Sequence, residues 1–244
     1  MKAVITAGGR IDGAFAEAAR TDVKALAIVR GATMLEHVVN SLRACGATRI
    51  AIVGGAGVRA AFESRVEAIV DESPSGSKNL LRALGAWPED GEPLLYATSD
   101  LPYVSAATLG DFLDRRDPGT IAVSLSELAD YRARFPGAPA AGITLGGERV
   151  VNGGIFSIPA GASGAIATVA TRFFEARKQP WRMAALVSPL AVLRFLVGRL
   201  RISDLEAEAT RVLVYPARAV RNCAPELAFD VDGIAEYEYV RTQA

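Results

Sequence analysis

One histidine, two cysteines and no net charge set the first limits on this chain of 244 residues. A single histidine cannot build a paired-histidine zinc site, and it leaves most histidine-dependent triads without their base. Cys45 and Cys223 form no CxxC pair and no secretory signal is evident, so a reduced cytoplasmic setting is expected, with both thiols packed as small apolar groups. The 27 basic residues balance the 27 acidic ones, which gives no reason to expect nucleic acid or an acidic membrane surface as the main partner. Also missing is an uncharged apolar run of roughly 20 residues, the length a membrane span requires. The most apolar stretch, Met183 to Leu200, is broken by Pro189 and Arg194 and edged by Arg182, Arg199 and Arg201. A buried helix pair or a homodimer surface is the expectation for it, rather than a pocket for a greasy acceptor.

What the chain does have is an alternation of short apolar runs with amphipathic stretches. Strands are expected at Ala3–Thr6, Ile50–Val53, Val66–Val70, Leu94–Thr98, Thr120–Ser124, near Ala141–Leu145, and from Asn152 through Ile158. Between them, Thr33 and Glu36 have the spacing of a capping box, and Leu35, Val38, Val39 and Leu42 follow helical spacing until Gly46. His37 falls on the opposite side of that wheel and is expected at the solvated surface. Strand–helix alternation at this spacing predicts an α/β fold, Rossmann-like, with a mostly parallel central sheet and helices on both faces. With no repeat, low-complexity linker or clean boundary, residues 1–244 are expected to form one domain with an elaborated C-terminal half.

Three groups of residues carry chemical potential. The first strand ends in Ala7-Gly8-Gly9-Arg10, and one long polar loop is expected from there to Lys24. Adjacent glycines at a strand's end let backbone N–H groups approach a bulky anion, and Arg10, Arg20 and Lys24 add positive charge nearby. Second, Asp100 and the pair Asp230 and Asp232 each follow an apolar strand-like segment, where open α/β sheets place their ligands. Two carboxylates converging there can hold Mg²⁺ and leave positions for phosphate oxygens and water. Third, Gly55-Ala56-Gly57-Val58-Arg59-Ala60 matches G-x-G-x-x-A with Asp71 downstream, a pattern of NAD(P)-binding oxidoreductases. It follows the second strand, whereas that fingerprint belongs after the first.

The order of these pieces resembles the molybdenum-cofactor guanylyl- and cytidylyltransferases, the MobA-like NTP transferases, with a GT-A-type nucleotide-binding fold. The likeness rests on Ile5-Thr6-Ala7-Gly8-Gly9-Arg10, on Lys24-Ala25-Leu26 leading to Gly31-Ala32-Thr33-Met34-Leu35-Glu36, on Ser99-Asp100-Leu101-Pro102, and on Phe229-Asp230-Val231-Asp232. It is good over 1–115, thin from 120 to 220, and returns at the end. The resemblance implies a nucleotide-binding half at 1–115 and an acceptor-side half at 120–244. It implies that Ala7, Gly8, Gly9 and Arg10 embrace the phosphates of a nucleoside triphosphate and that Lys24 neutralises charge as pyrophosphate leaves. Asp100 and Asp232 would hold Mg²⁺, with Asp230 as a further ligand. Ser77, Lys78 and Asn79 would lie near base and ribose, and Asn152 and Gly153 toward a phosphorylated small-molecule acceptor. One departure stands out: Lys24 follows Gly9 by fifteen positions, with Asp12 inside the interval, so either Arg10 or Arg20 could be the arginine that meets the phosphates.

The expected activity is Mg²⁺-dependent transfer of a nucleoside monophosphate. The alternatives are a nucleotide-binding protein of the same fold without turnover, and the NAD(P)-binding oxidoreductase. Thermal shift separates the last of these, because a ligand that binds only the native state raises the melting temperature. CTP or GTP with Mg²⁺ should raise it and NAD(H) should not; the opposite pattern would restore the oxidoreductase.

Overall fold

The computed structural model describes residues 1–140, 142–176, 179 and 186–243. The first strand, β1 (Lys2–Thr6), is central, with Ala3, Val4 and Ile5 fully buried. Alternation along it sends Ala3 and Ile5 to one face and Val4 to the other. On the first face pack α2 (Met34–Ala44), through Leu35, Val38, Val39 and Leu42, and α5 (Ala106–Arg115), through Leu109 and Phe112. On the second lie α4 (Gly76–Leu84) and α7 (Ser163–Ala176). Each large apolar side chain so enclosed contributes about 1.5–3 kcal/mol of burial.

The remaining strands are β2 (Ile28–Val29), β3 (Ala32–Thr33), β4 (Arg49–Gly54), β5 (Ala68–Asp71), β6 (Leu94–Thr98), β7 (Ile121–Glu127), β8 (Ile143–Leu145), β9 (Glu148–Ile158) and β10 (Ala217–Val220). The main sheet runs β10-β7-β9-β6-β1-β4-β5, with β8 added on β9. β1 is parallel to both β4 and β6, β4 to β5, and β7 to β10, while β9 runs antiparallel to its neighbours. The mostly parallel α/β sheet with helices on both faces is therefore present.

Three expectations need correction. The stretch between Arg10 and Lys24 is not one long loop, because α1 (Gly13–Ala19) stands inside it. His37 is half-buried, not solvated, and its Nε2 lies 2.9 Å from the Val29 carbonyl oxygen, joining α2 to the β2–β3 hairpin. The start of the apolar stretch at Met183, with Arg182 before it, lies outside the described residues, as does Ala141 ahead of β8. The described part of the apolar stretch includes α8 (Pro189–Leu196), which is not buried: Phe195 is 62% and Leu196 75% exposed, and only Ala191 of the helix is buried. Among the described residues no helix is long and apolar enough to cross a membrane. Helix α9 (Ile202–Leu213) covers the sheet edge at β10, α6 (Leu128–Arg134) follows β7, α3 (Ala56–Phe62) follows β4, and α10 (Ile234–Thr242) closes the chain.

Thr33 caps α2, its hydroxyl accepting from the Glu36 N–H at 3.1 Å, as the spacing of those residues predicts. Gly46, with φ of +92°, then turns the chain into β4.

Gly153 is buried in β9. A Cβ there would collide with Ser124 Oγ and stand 2.7 Å from the Leu227 carbonyl oxygen. Gly153→Ala should therefore lower stability by about 1–3 kcal/mol, visible as a reduced chemical-denaturation midpoint. A midpoint equal to that of the parent would mean that β9 can shift away from Leu227 without cost.

Candidate active site

The carboxyl ends of the parallel strands converge on one pocket. Its walls include Thr6, Gly8, Gly9 and Arg10 at the end of β1, Glu72, Ser73 and Asn79 after β5, Thr98, Ser99 and Asp100 at the end of β6, and Lys24, in a cavity of about 730 Å³. The fifteen-residue interval from Gly9 to Lys24 closes on itself. The Lys24 N–H donates to the Gly9 carbonyl at 2.9 Å, the Ile11 N–H donates to Asp22 at 3.0 Å, and Arg10 bridges Val23 in antiparallel fashion. α1 absorbs the extra residues, so the lysine returns beside the glycines despite its distance in sequence. Arg10 lines the pocket, whereas exposed Arg20 takes the left-handed position that ends α1.

Lys24 is the centre of the charge arrangement. Its Nζ lies 2.5 Å from Asp100 Oδ2 and 2.9 Å from Asp232 Oδ1. The Val231 N–H donates to the Asp100 carbonyl at 3.0 Å, and this bond holds the 230–232 segment against the end of β6. Val231 is buried in the core while Asp230 and Asp232 both line the neighbouring cavity, so the two-residue spacing does place both carboxylates on the same side. Burial alone would pull the Lys24 ammonium below its ordinary pKa; the Asp100 charge and the hydrogen bonds to Asp100 and Asp232 reverse this and hold it above. Asp230 goes the other way. Loss of solvent, then the Asp232 and Asp100 charges, push its carboxyl up to about 7.

A second, smaller cavity of about 480 Å³ opens on the far side of the aspartates, lined by Tyr131, Asn152, Asp230, Asp232 and Glu236 among others. Asn152 thus faces the aspartates, while Gly153 points into the packing between β9 and Leu227. Ala7 is buried, its N–H donating to Val53 at 2.8 Å, and it supports the loop from below. The base-side candidates are used within their own loop. Ser77 Oγ is paired with Ser75 Oγ at 2.9 Å, and the Asn79 amide accepts from the Ser73 N–H at 2.6 Å and donates to the Ser73 carbonyl at 2.9 Å. Asn79 therefore shapes the pocket wall, and Lys78 is exposed.

Glu72 is a residue that the sequence patterns missed. It forms an ion pair with Arg10 across the pocket, and its other oxygen is buried without a partner. A Cβ on Gly8 or on Gly55 would collide with this carboxylate. The signal was present only as a pair of small residues after β1 and β4, which says that something is accommodated but not what. Two other buried oxygens also lack partners at the site, Thr98 Oγ1 and Asp100 Oδ1.

A family model for the MobA-like NTP transferase domain matches residues 3–227. The chain belongs to the MobA-like NTP transferases. No functionally curated protein matches it. Among solved structures, this MobA-like chain is similar to a hypothetical transferase from Thermus thermophilus, at 27% identity and a TM-score of 0.85, with 98% of each chain covered. It shares the fold of a 2-C-methyl-D-erythritol 4-phosphate cytidylyltransferase, also from Thermus thermophilus, at 16% identity and a TM-score of 0.58 over 99% of this chain and 97% of that one. It also shares the fold of Rv0371c from Mycobacterium tuberculosis H37Rv, solved in complex with manganese, at 17% identity and a TM-score of 0.55 over 100% and 98%. Family membership removes the basis for the oxidoreductase alternative. The G-x-G-x-x-A match reduces to the cap of α3, and Asp71 is ion-paired with Arg59 at 2.7 Å.

The raised Asp230 carboxyl has a sign that can be tested. Its native pKa, about 7, exceeds the ordinary 3.8, so between those values the native state holds a proton that the unfolded chain releases. In metal-free protein, stability should fall as pH rises from about 4 to about 7 and level off above. Asp230→Asn should flatten that part of the curve of melting temperature against pH. An unchanged slope would show that the neighbouring carboxylates do not govern this proton.

Proposed function

We propose that this MobA-like chain is a Mg²⁺-dependent nucleotidyltransferase that moves a nucleoside monophosphate from a triphosphate to a phosphorylated small molecule, releasing pyrophosphate. The observation that carries the reading is the Lys24 ammonium poised between Asp100 and Asp232, directly beside the Gly8-Gly9 turn.

The donor set fits a divalent cation. Asp100 Oδ1 is buried and without a hydrogen-bond partner, and Asp232 shares the same cation with Asp100. Mg²⁺ is commonly held by one or two carboxylates, with waters and substrate phosphates completing its octahedron. Asp100 and Asp232 would hold it, with Asp230 beside them. When bound, it supplies positive charge to the phosphate oxygens around the reacting phosphorus.

The chemistry asked of the side chains is then modest. An oxygen of the acceptor phosphate attacks the α-phosphorus in line, the bond to the bridging α–β oxygen breaks, and pyrophosphate leaves with that electron pair. The attacking oxygen is already ionised, so no histidine or other strong base is required, and catalysis consists of positioning and charge neutralisation. Lys24 and Arg10 supply fixed positive charge, and the glycines let backbone N–H groups close on the phosphates. The cavity beside Asn152 would receive the acceptor.

Pyrophosphate release, measured with each of the four triphosphates against pooled sugar and alcohol phosphates, tests this directly. Lys24→Ala and Asp100→Ala should each lower the rate by about 10²–10³-fold while the chain stays folded, and chelation of the metal should abolish release. Triphosphate binding with no release under any mixture would instead identify a nucleotide-binding protein without turnover.

A further inference from the structure

Independently of the transferase reading, we infer that α8 docks this chain on an anionic lipid surface. Its aliphatic face enters the headgroup layer, and the arginines around it meet lipid phosphates.

The helix faces the wrong way for a core element. At 3.6 residues per turn, Leu190, Leu193, Leu196 and Val197 fall within about 120° of one another, on the side away from buried Ala191. Each of the four is more than half exposed. The mounting is firm. Ser188 caps the helix by accepting from the Ala191 N–H at 3.2 Å, and Glu208 of α9 accepts in turn from the Ser188 N–H at 3.0 Å. Arg194 is ion-paired at 2.5 Å with Asp204, also on α9, and Leu200 and Ile202 are buried just beyond. Rolling the helix to hide its leucines would break these ties. Every residue from Leu193 to Arg199 is exposed, so the surface presented is a ridge and not a groove.

Charge decides what covers the ridge. The whole chain is neutral, yet its residues 177–203 hold Arg177, Lys178, Arg182, Arg194, Arg199 and Arg201 and no aspartate or glutamate. Whole-chain balance hides this local excess. Arg199 and Arg201 are both exposed, and among the described residues neither has an ion-pair partner. A second copy matches poorly, because a two-fold contact sets each patch against itself and would bring these arginines together with no acid to meet them. Protein partners are anchored by side chains seated in pockets, which a ridge does not offer. An apolar layer behind a plane of phosphates meets both features at once. Interfacial helices set leucine and phenylalanine beside basic residues and lie with the apolar face about 5–10 Å into the boundary of headgroups and acyl chains. Two helical turns bury too little apolar area for firm binding alone, so the arginines supply the second attraction.

Flotation of the full chain with vesicles of phosphatidylcholine, and with vesicles of equimolar phosphatidylcholine and phosphatidylglycerol, tests the inference. The anionic vesicles should bind at least about 10-fold tighter, and about 1 M salt, where the screening length falls to about 3 Å, should release the protein. Leu193→Asp combined with Leu196→Asp should cost at least about 10-fold in vesicle affinity. Both side chains are exposed, so the melting temperature of that variant should match the parent's. Arg199→Gln combined with Arg201→Gln should weaken binding by about 30-fold. No binding to anionic vesicles, equal binding to both kinds, or full binding by the leucine variant would each overturn the proposal. A dimer in sedimentation that the leucine variant dissociates, with no vesicle binding by the parent, would overturn it in favour of a second copy on this face.

Discussion

The site depends on one charge contact, the Lys24 ammonium between Asp100 and Asp232. Each partner arrives from a different part of the chain: Lys24 from the segment after α1, Asp100 from the end of β6, and Asp232 from the turn before α10. Two backbone hydrogen bonds make that convergence reproducible, Lys24 to Gly9 and Val231 to Asp100. A mostly buried ammonium with one carboxylate removed would be left with part of its charge unmet. The geometry of the cluster and the closure of the C-terminal segment over the sheet are therefore one problem rather than two.

The fold was legible wherever local pattern and tertiary demand agreed. β6 carries an apolar run bounded by turn residues, and its predicted limits at Leu94 and Thr98 are those observed. The apolar stripe and capping threonine of α2 are equally local signals. α1 was missed because its seven residues bury only Phe15 and its cap makes no side-chain hydrogen bond, so neither periodicity nor a capping motif announces it. The outward face of α8 could not be placed from pattern for the converse reason: a run so rich in apolar side chains has no polar side to mark which residues face outward.

The candidate site divides in the same way. Asp100, Asp230 and Asp232 stand at the ends of apolar segments, a placement that architecture alone makes meaningful, and the structure brings them together around Lys24. Gly153 and Asn152 are neighbours in sequence but point to opposite sides of β9, because side chains alternate along a strand; only Asn152 reaches the cavity. Glu72 could not be found by motif, since its meaning lies in its position over Gly8 and Gly55, which come from two other strands. Contacts between strand ends are set by sheet order, and sheet order is not written in any single stretch of residues.

Charge balance then constrains how the proposed reaction can begin. Around the two cavities stand the acidic side chains Asp100, Asp230, Asp232, Glu236 and Glu72, against the cations Lys24 and Arg10. Both cations are already engaged, Lys24 by two carboxylates and Arg10 by Glu72. A triphosphate entering such a site would meet like charge that neither of these paired cations is free to offset, and at short range in a partly desolvated pocket that repulsion amounts to several kcal/mol. On the proposed reading the triphosphate must therefore arrive with its own divalent cation. That cation would satisfy Asp100 and Asp232 and leave the Lys24 ammonium free to turn from the carboxylates to the phosphates. On that reading, the ion pairs of the ligand-free site are the resting arrangement of the same charges that would act on the substrate, and the need for a metal follows from electrostatics rather than from any motif.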